Sequence, residues 1–436
     1  MPELQEDSDD DEPQPRRTRT TITAHTRSVE QESTTSNITQ PGISRPVRTR
    51  KAPERLNLAA RVEQFTTLVH MTAKKAMKEY PTEAEPAIIE ELTNLTRKHA
   101  LTGRHLHSLT AEQQTRVLRS HMNGTRKVVP VSDGTGRTKD KLKARHVAGG
   151  DGQDRNLYSR EETSSPTVSV SGLYLTLITA YLDTKSSCHC VTADVGCAYL
   201  NAKMPKGDPT KLVFIKIAPE ITKTLINIDP DMTPFVRKDG SLIAELNRAL
   251  YGCVESALLW YKELTGTLQE IGFLQNPTDP CILNRTKKGV KTTVAVYVDD
   301  LLILSNCRDD IASLIDDLRA KYDEVKTTEG SKHNYLGMVI DLSFPPHITI
   351  NQTGMVEDII SSTKNAIMKA ETDNSPLKKS PNLPKSPAAP YLFDIADNSM
   401  PLSDSLRVIF HSVVAKLIYI STRTRHPYCG LIPQAL

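Results

Sequence analysis

The sequence predicts an α+β fold, an antiparallel sheet with helices packed against it. Three observations carry that expectation. In "TVAVYVDDLLIL" (293–304), Val294, Val296 and Val298 alternate as in a strand with one buried face and Leu301 to Leu304 read as a second apolar strand, the two making a hairpin. Amphipathic helical spacing recurs on both sides of it, in "ALLWYKELTGTLQEIGF" and "DDIASLIDDLRAKYDEVK". Ahead of both, "HCVTADVGCAYLNAKM" reads as a strand running into a loop or helix, with Asp194 at the end of its apolar stretch.

Taken in order, residues 1–60 read as a disordered linker. The acidic "EDSDDDEPQP" is followed by the basic "RRTRTTITAHTRS" and "SRPVRTRKAPERL", almost without large apolar residues. The 27 prolines and the low hydrophobic content, 38%, agree with unstructured segments beside a folded core. The arginine clusters fit a solvated tail, a phosphate-contacting arm or a nuclear address, and the residues favour none of these. "PTEAEPAIIEELTNLTRKHAL" opens on a proline and spaces Ile88, Leu92 and Leu95 as in a helix. "RKVVPVSDGTGRTKDKLKARHVAGG" then reads as two strands around a glycine-containing loop. Its second strand projects Lys141, Lys143 and Arg145 from one face, either as solvated surface or to meet a polyphosphate. "SVSGLYLTLITAYLD" is a buried helix by its composition. The helix after Gly252 ends at Gly272, "HNYLGMVIDLSFPPHITINQ" is a hairpin, residues 366–395 are a proline-rich linker, and 396–436 hold a final apolar helix.

No apolar run reaches the length of a membrane span, and the acidic start is unlike a signal peptide. The expected setting is therefore soluble and cytoplasmic, with the nucleus as the alternative and no membrane partner. Seven irregularly spaced cysteines fit reduced thiols. "CHC" at Cys188–Cys190 lacks a second ligand pair, so a buried strand is the stronger reading than zinc.

The chemistry centres on the two adjacent aspartates of the hairpin. Asp-Asp reads as its tight turn, either a hairpin turn that is simply acidic or a site, since two like charges buried between apolar strands would lose several kcal/mol unless a cation sits on them. A strand end with Asp194 and a hairpin turn with Asp299 and Asp300 can lie side by side in an antiparallel sheet. Hard carboxylate oxygens so placed suit Mg²⁺, with Mn²⁺ possible, and two such ions support in-line displacement of pyrophosphate.

At this point a resemblance enters. "YVDD" followed by an apolar strand resembles the signature hairpin of reverse transcriptases. The wider pattern resembles the reverse transcriptase of copia-type (Pseudoviridae) long-terminal-repeat retrotransposons: "KLKARHVAGGDGQD" is similar to "KARLVAKG", "VTADVGCAYLNAKMPKG" to "DVKTAFLNG", and "LNRALYGCVESALLWYKEL" to "LxKALYGLKQAPRxWYxxL". "DPCIL", "YVDDLLIL", "NYLGMVI" and "VVAKLIYISTRTRHP" follow in the family's order, and "RPVRTRKAPERL" resembles the basic linker before this domain. The resemblance implies a right-hand polymerase of fingers and palm over residues 75–365, and a C-terminal helical connection segment. It implies an RNA-directed DNA polymerase that uses dNTPs and a primed RNA or DNA template. Asp194 and Asp299 would bridge two metal ions, with Asp300 as the third acidic position. Lys143 and Arg145 would hold the incoming triphosphate. Tyr199 would exclude a ribose 2′-hydroxyl, or else be an ordinary core aromatic. Tyr251 and Gly252 would pack by the nucleotide sugar, and Leu336 and Gly337 would grip the primer end. Trp260 is expected to be core.

The chain departs from the family pattern in two places. The lysine and proline of "GLKQAP" are Val254 and Ala257 here, and "VAKG" is "VAGG". The sequence stops where a ribonuclease H domain would begin, so a fragment of a polyprotein with integrase and ribonuclease H partners is expected. The alternative is a degenerate or domesticated module that binds nucleic acid without polymerising.

Overall fold

The computed structural model describes residues 70–130, 138–183, 188–344, 347–371 and 402–424. The expected tail at 1–60, the loop at 131–137, the proline-rich stretch beyond residue 371 and the last residues of the chain lie outside them. The strands in chain order are β1 His70–Thr72, β2 Leu101–Arg104, β3 Leu118–Pro130, β4 Thr138–Ala148, β5 His189–Val195, β6 Phe214–Ile217, β7 Leu242–Leu246, β8 Leu274–Gln275, β9 Ile282–Lys287, β10 Val290–Tyr297, β11 Asp300–Ser305, β12 Val325–Glu329, β13 Lys332–Tyr335, β14 Met338–Phe344 and β15 His347–Asn351. They build three sheets, and with ten α-helices among the described residues the fold is α+β.

The first sheet has the order β1-β3-β6-β7-β2, with β4 hairpin-paired to β3. Along β4 the alternation decides the faces. Leu142, Ala144 and His146 are buried, whereas Lys141 and Lys143 are exposed and Arg145 is half-buried. Behind this strand lies the helix Pro81–Arg97, started by its N-terminal proline and anchored by Ala84, Ala87, Ile88, Leu92 and Leu95. The expected helix is there, as is the two-stranded reading of the basic segment.

The central sheet is antiparallel throughout, in the order β12-β5-β11-β10-β9-β8. The alternation of Val294, Val296 and Val298 predicts one buried face for the first strand of its hairpin. Instead Val294, Ala295 and Val296 and all of Leu301–Leu304 are buried, so the sheet is covered on both sides. The helix Arg308–Tyr322 and the helix Val170–Asp183 both pack against β10 and β11. Helix Ser256–Glu270 joins Arg308–Tyr322 through Trp260 and Tyr322, whose rings meet edge to face at 5.2 Å, and through a 2.7 Å hydrogen bond from the Tyr322 hydroxyl to Thr267. The helix Val170–Asp183 corrects another expectation. It buries Leu173 and Leu177 but leaves Leu175 and Ile178 exposed, so it is a one-sided surface helix.

β13, β14 and β15 form the third sheet, where a single hairpin was expected. After it the helix Thr353–Glu371 extends six residues into the stretch read as linker, and the helix Asp404–Ser421 packs against it. Among the described residues no helix is long and apolar enough to cross a membrane.

Candidate active site

Tyr297 and Asp300 are the last cross-strand partners of the β10–β11 hairpin, so its two-residue turn is Val298–Asp299. This corrects the Asp-Asp turn by one position. The tolerance of aspartate for turns loses to register, because the apolar pairs Val294–Ile303 and Val296–Leu301 fix which residues face each other. Val298 sits at φ 57° while Asp299 keeps a negative φ, the pattern of a type II′ turn. A β-branched residue there is strained by about 1–3 kcal/mol. The Val298 carbonyl accepts a 2.7 Å hydrogen bond from the Trp260 indole.

β5 pairs with β11 so that Asp194 and Asp300 are direct partners, and directly opposed residues project from the same face of a sheet. The Val195 amide donates to the Asp299 carbonyl at 3.0 Å, which seats the turn on the end of β5. All three aspartates therefore gather at one end of the central sheet. Asp194 and Asp300 are exposed there and Asp299 is half-buried, so the desolvation expected for a buried acidic turn is largely avoided. Among the described residues no three His, Cys, Asp or Glu side chains converge as a closed metal cage. Magnesium does not need one. It takes one or two carboxylates and completes its shell with water and phosphate oxygens, so the open set of Asp194, Asp299 and Asp300 has the donor chemistry it requires.

On its other side β5 pairs with β12, placing Lys326 opposite Asp194. The Lys326 ammonium lies 2.8 Å from Glu324. That hydrogen bond first, and then the charges of Glu324, Asp194 and Glu90, raise the ammonium's pKa. Glu324 is lowered in turn by Lys326 and, further off, by Lys143 and Arg97. The basic strand β4 thus reaches the field of the acidic sheet end. Behind β4, burial raises the Glu91 carboxyl, which accepts the His146 amide at 2.9 Å and feels Arg145 and Lys143. Lys141 stands 3.6 Å from Glu90.

Three of the expected nucleotide-side residues come together in one stack. The Arg145 guanidinium lies 4.6 Å from the centre of the Tyr251 ring, and the Tyr251 and Tyr199 rings are 4.5 Å apart, tilted by 45°. Tyr199 stands on the short helix Ala198–Asn201 directly after β5. Tyr251 is held by its carbonyl, which accepts the Ala148 amide at 2.8 Å. Two glycines allow that approach. Gly252 has φ 95°, and a Cβ on it would fall 2.0 Å from the Ala148 carbonyl oxygen; one on Gly150 would fall 1.9 Å from that of Gly252. At Gly149, where the family pattern has lysine, a Cβ would meet the Arg119 carbonyl at 2.8 Å. The double glycine therefore has a packing reason. Beside it, buried Glu255 accepts hydrogen bonds from Gln153 and Tyr158 at 3.0 and 3.1 Å, and Gln153 accepts the Val254 amide at 2.8 Å.

Leu336 and Gly337 form the β13–β14 turn, both at positive φ, the pattern of type I′. The Tyr419 hydroxyl of helix Asp404–Ser421 donates to the Leu336 carbonyl at 2.7 Å, and that of Tyr335 donates to the Ala295 carbonyl of β10 at 3.0 Å. "CHC" is ordinary strand and strand entrance: Cys190 is buried, and burial pushes the Cys188 thiol up to about 11.

Trp260, Tyr419, Glu91 and the pair Glu324–Lys326 were not read from the sequence as parts of the site. Trp260, the single tryptophan of the chain, and Tyr419 carry a signal, each lying in a segment already matched to a motif.

A family model described as "Reverse transcriptase (RNA-dependent DNA polymerase)" matches residues 124–379, more than half of the chain. Among curated proteins, the retrovirus-related Pol polyprotein from transposon RE1 of Arabidopsis thaliana is 31% identical over 152 residues, 34% of this chain and 10% of that protein. A putative transposon Ty5-1 protein of Saccharomyces cerevisiae is 22% identical over 238 residues, 53% of this chain and 64% of its own. The chain thus spans about a tenth of the plant relative's length. Among solved structures, apo telomerase from Candida tropicalis overlaps 81% of this chain and 64% of its own at 11% identity, with a TM-score of 0.35.

Proposed function

The chain belongs to the reverse transcriptase (RNA-dependent DNA polymerase) family, with distant homology to copia-type retrotransposon Pol polyproteins, and on that premise we propose that it extends a primer on an RNA or DNA template. The observation that carries the proposal is the register that brings Asp194, Asp299 and Asp300 to one sheet end, with Tyr199 of the Arg145–Tyr251–Tyr199 stack on the short helix that follows β5. In this reading the first sheet is the fingers and the central sheet the palm. Magnesium bound at the carboxylates would activate the primer 3′-hydroxyl and neutralise the leaving pyrophosphate. Asp194 and Asp299 hold the charge that attracts it, and Asp300 adds to the same field. Lys143 and Arg145 bind the triphosphate, with Arg145 kept in place by the Tyr251 ring. Tyr199, backed by Tyr251, narrows the space at the sugar so that a 2′-hydroxyl is excluded. Leu336 and Gly337, pinned by Tyr419, carry the primer end. The remaining polyprotein domains, integrase and ribonuclease H, are the proposed partners, and the cytoplasm, or else the nucleus, the proposed setting.

Primer extension by the purified chain with Mg²⁺ and dNTPs tests this. Asp194→Asn and Asp299→Asn are each expected to lower the rate by about a thousandfold or more while the fold persists. An Asp299→Asn variant within tenfold of the unaltered chain would remove that residue from the site. The absence of cations at Gly149 and Val254 favours a second reading, a module that binds nucleic acid without polymerising. That reading requires tight duplex binding with no extension in either Mg²⁺ or Mn²⁺.

A further inference from the structure

We infer that Trp260 is a positioning residue for the Asp299 turn, holding its central peptide in the one orientation that keeps Asp299 at the sheet end; this rests on the polymerase reading above. The hairpin turn has a two-state element built into it. Type II′ and type I′ turns differ chiefly in the direction of the peptide joining their two central residues, here Val298–Asp299. In type II′ only the first central residue has positive φ; rotation of that peptide toward type I′ would carry Asp299 to positive φ as well and swing its carboxylate. The carbonyl of this peptide is the one that accepts the Trp260 indole N–H at 2.7 Å. Type II′ calls for glycine at its first central position, so Val298, a β-branched residue at φ 57°, does not choose this geometry unaided.

The donor is itself immobile. Trp260 has no exposed surface, its ring is set edge to face on Tyr322, and Tyr322 is fixed through its hydrogen bond to Thr267. The helix Ser256–Glu270 thereby reaches the turn through the Trp260 hydrogen bond, and the Val195 amide holds the adjoining Asp299 carbonyl from the neighbouring strand. Both carbonyls of the turn are consequently fixed from outside the hairpin.

The chain has one tryptophan, so replacing tryptophan biosynthetically by its benzothienyl analogue, in which sulfur stands for the N–H, alters this position alone. Trp260→Phe is the genetic counterpart. Single-turnover primer extension is expected to be roughly tenfold slower at saturating dNTP for both, as befits one buried hydrogen bond. The dNTP concentration for half-maximal rate and the primer–template affinity should stay within about twofold. Val298→Gly, placed in the Trp260→Phe background, should recover most of the lost rate, because glycine at the first central position is what a type II′ turn favours. A merely structural tryptophan would give no such rescue. If the analogue-bearing chain extends at the unaltered rate, or if Val298→Gly rescues nothing, the inference is wrong while the polymerase reading stands. If the unaltered chain does not extend a primer at all, both are wrong.

Discussion

Replacing Gly252 by alanine sets one methyl group against a backbone oxygen. The new Cβ would lie 2.0 Å from the Ala148 carbonyl, and real Cβ contacts do not fall below 3.0 Å, so the two backbones must part by about 1 Å. The hydrogen bond from the Ala148 amide to the Tyr251 carbonyl, 2.8 Å long, lies in the same contact and would be stretched or lost, at about 0.5–1.5 kcal/mol. Holding alanine at φ 95° adds about 1–2 kcal/mol. The expected loss is about 2–3 kcal/mol of stability, a large part of a typical domain's total. The functional effect should be more local. Tyr251 contacts both the Arg145 guanidinium and the Tyr199 ring, so a displaced Tyr251 should raise the dNTP concentration needed for extension before it affects binding of primer–template. Equilibrium unfolding in urea measures the first effect and steady-state extension the second. A Gly252→Ala chain within 0.5 kcal/mol of the unaltered one, with an unchanged dNTP requirement, would refute the reasoning about this backbone contact.

Three further outcomes are expected. Tyr199→Val should admit ribonucleotides, read by single-nucleotide incorporation with dNTP against rNTP; unchanged discrimination would return Tyr199 to an ordinary core aromatic. Changing Lys143 and Arg145 together to alanine should raise the dNTP requirement and leave duplex affinity nearly intact, whereas a salt slope reduced by about one to two would place them on the nucleic acid instead. His146 is buried with neither ring nitrogen hydrogen-bonded, and burial lowers its pKa from 6.5 to about 4. The unfolded chain therefore binds the extra proton first as pH falls. Stability from this group is complete above about pH 6.5 and declines toward pH 4, by about 3 kcal/mol at most. His146→Leu should flatten that part of the stability–pH curve, and an unchanged slope would exclude His146 as its source.

What the sequence revealed, and what it hid, divides along the distance over which each feature is decided. Ile88, Leu92 and Leu95 marked their helix because spacing is local, and Val294 to Leu304 marked a hairpin for the same reason. The turn lies one residue from the expected Asp-Asp because the cross-strand pairs Val294–Ile303 and Val296–Leu301 override the turn preference of aspartate, which is all that the two residues themselves report. Burial of both faces of the hairpin depends on helices that pack from either side, which a strand's own alternation does not report. The stack of Arg145, Tyr251 and Tyr199 draws on three distant segments; each residue was named from its motif, yet nothing local told that their rings would touch. Trp260 and Tyr419 hold turns that precede or follow them by dozens of residues, and their donor roles exist only in three dimensions.

The strand order of the central sheet also sets a timetable for synthesis. β5 ends at Val195, but the strands that flank it begin only at Asp300 and Val325. At about 5–20 residues per second the ribosome takes roughly 5–20 s to reach the first of them, and throughout that interval β5 has no neighbour on either edge. Its residues Cys190, Val191, Ala193 and Val195 are core in the finished protein, so the waiting strand is apolar and sticky. Non-local pairing of this kind is slow even after release. Any fragment that ends before Val325 lacks β12 and leaves one edge of β5 open for good, and such fragments should aggregate, whereas chains that include β12 close the edge themselves.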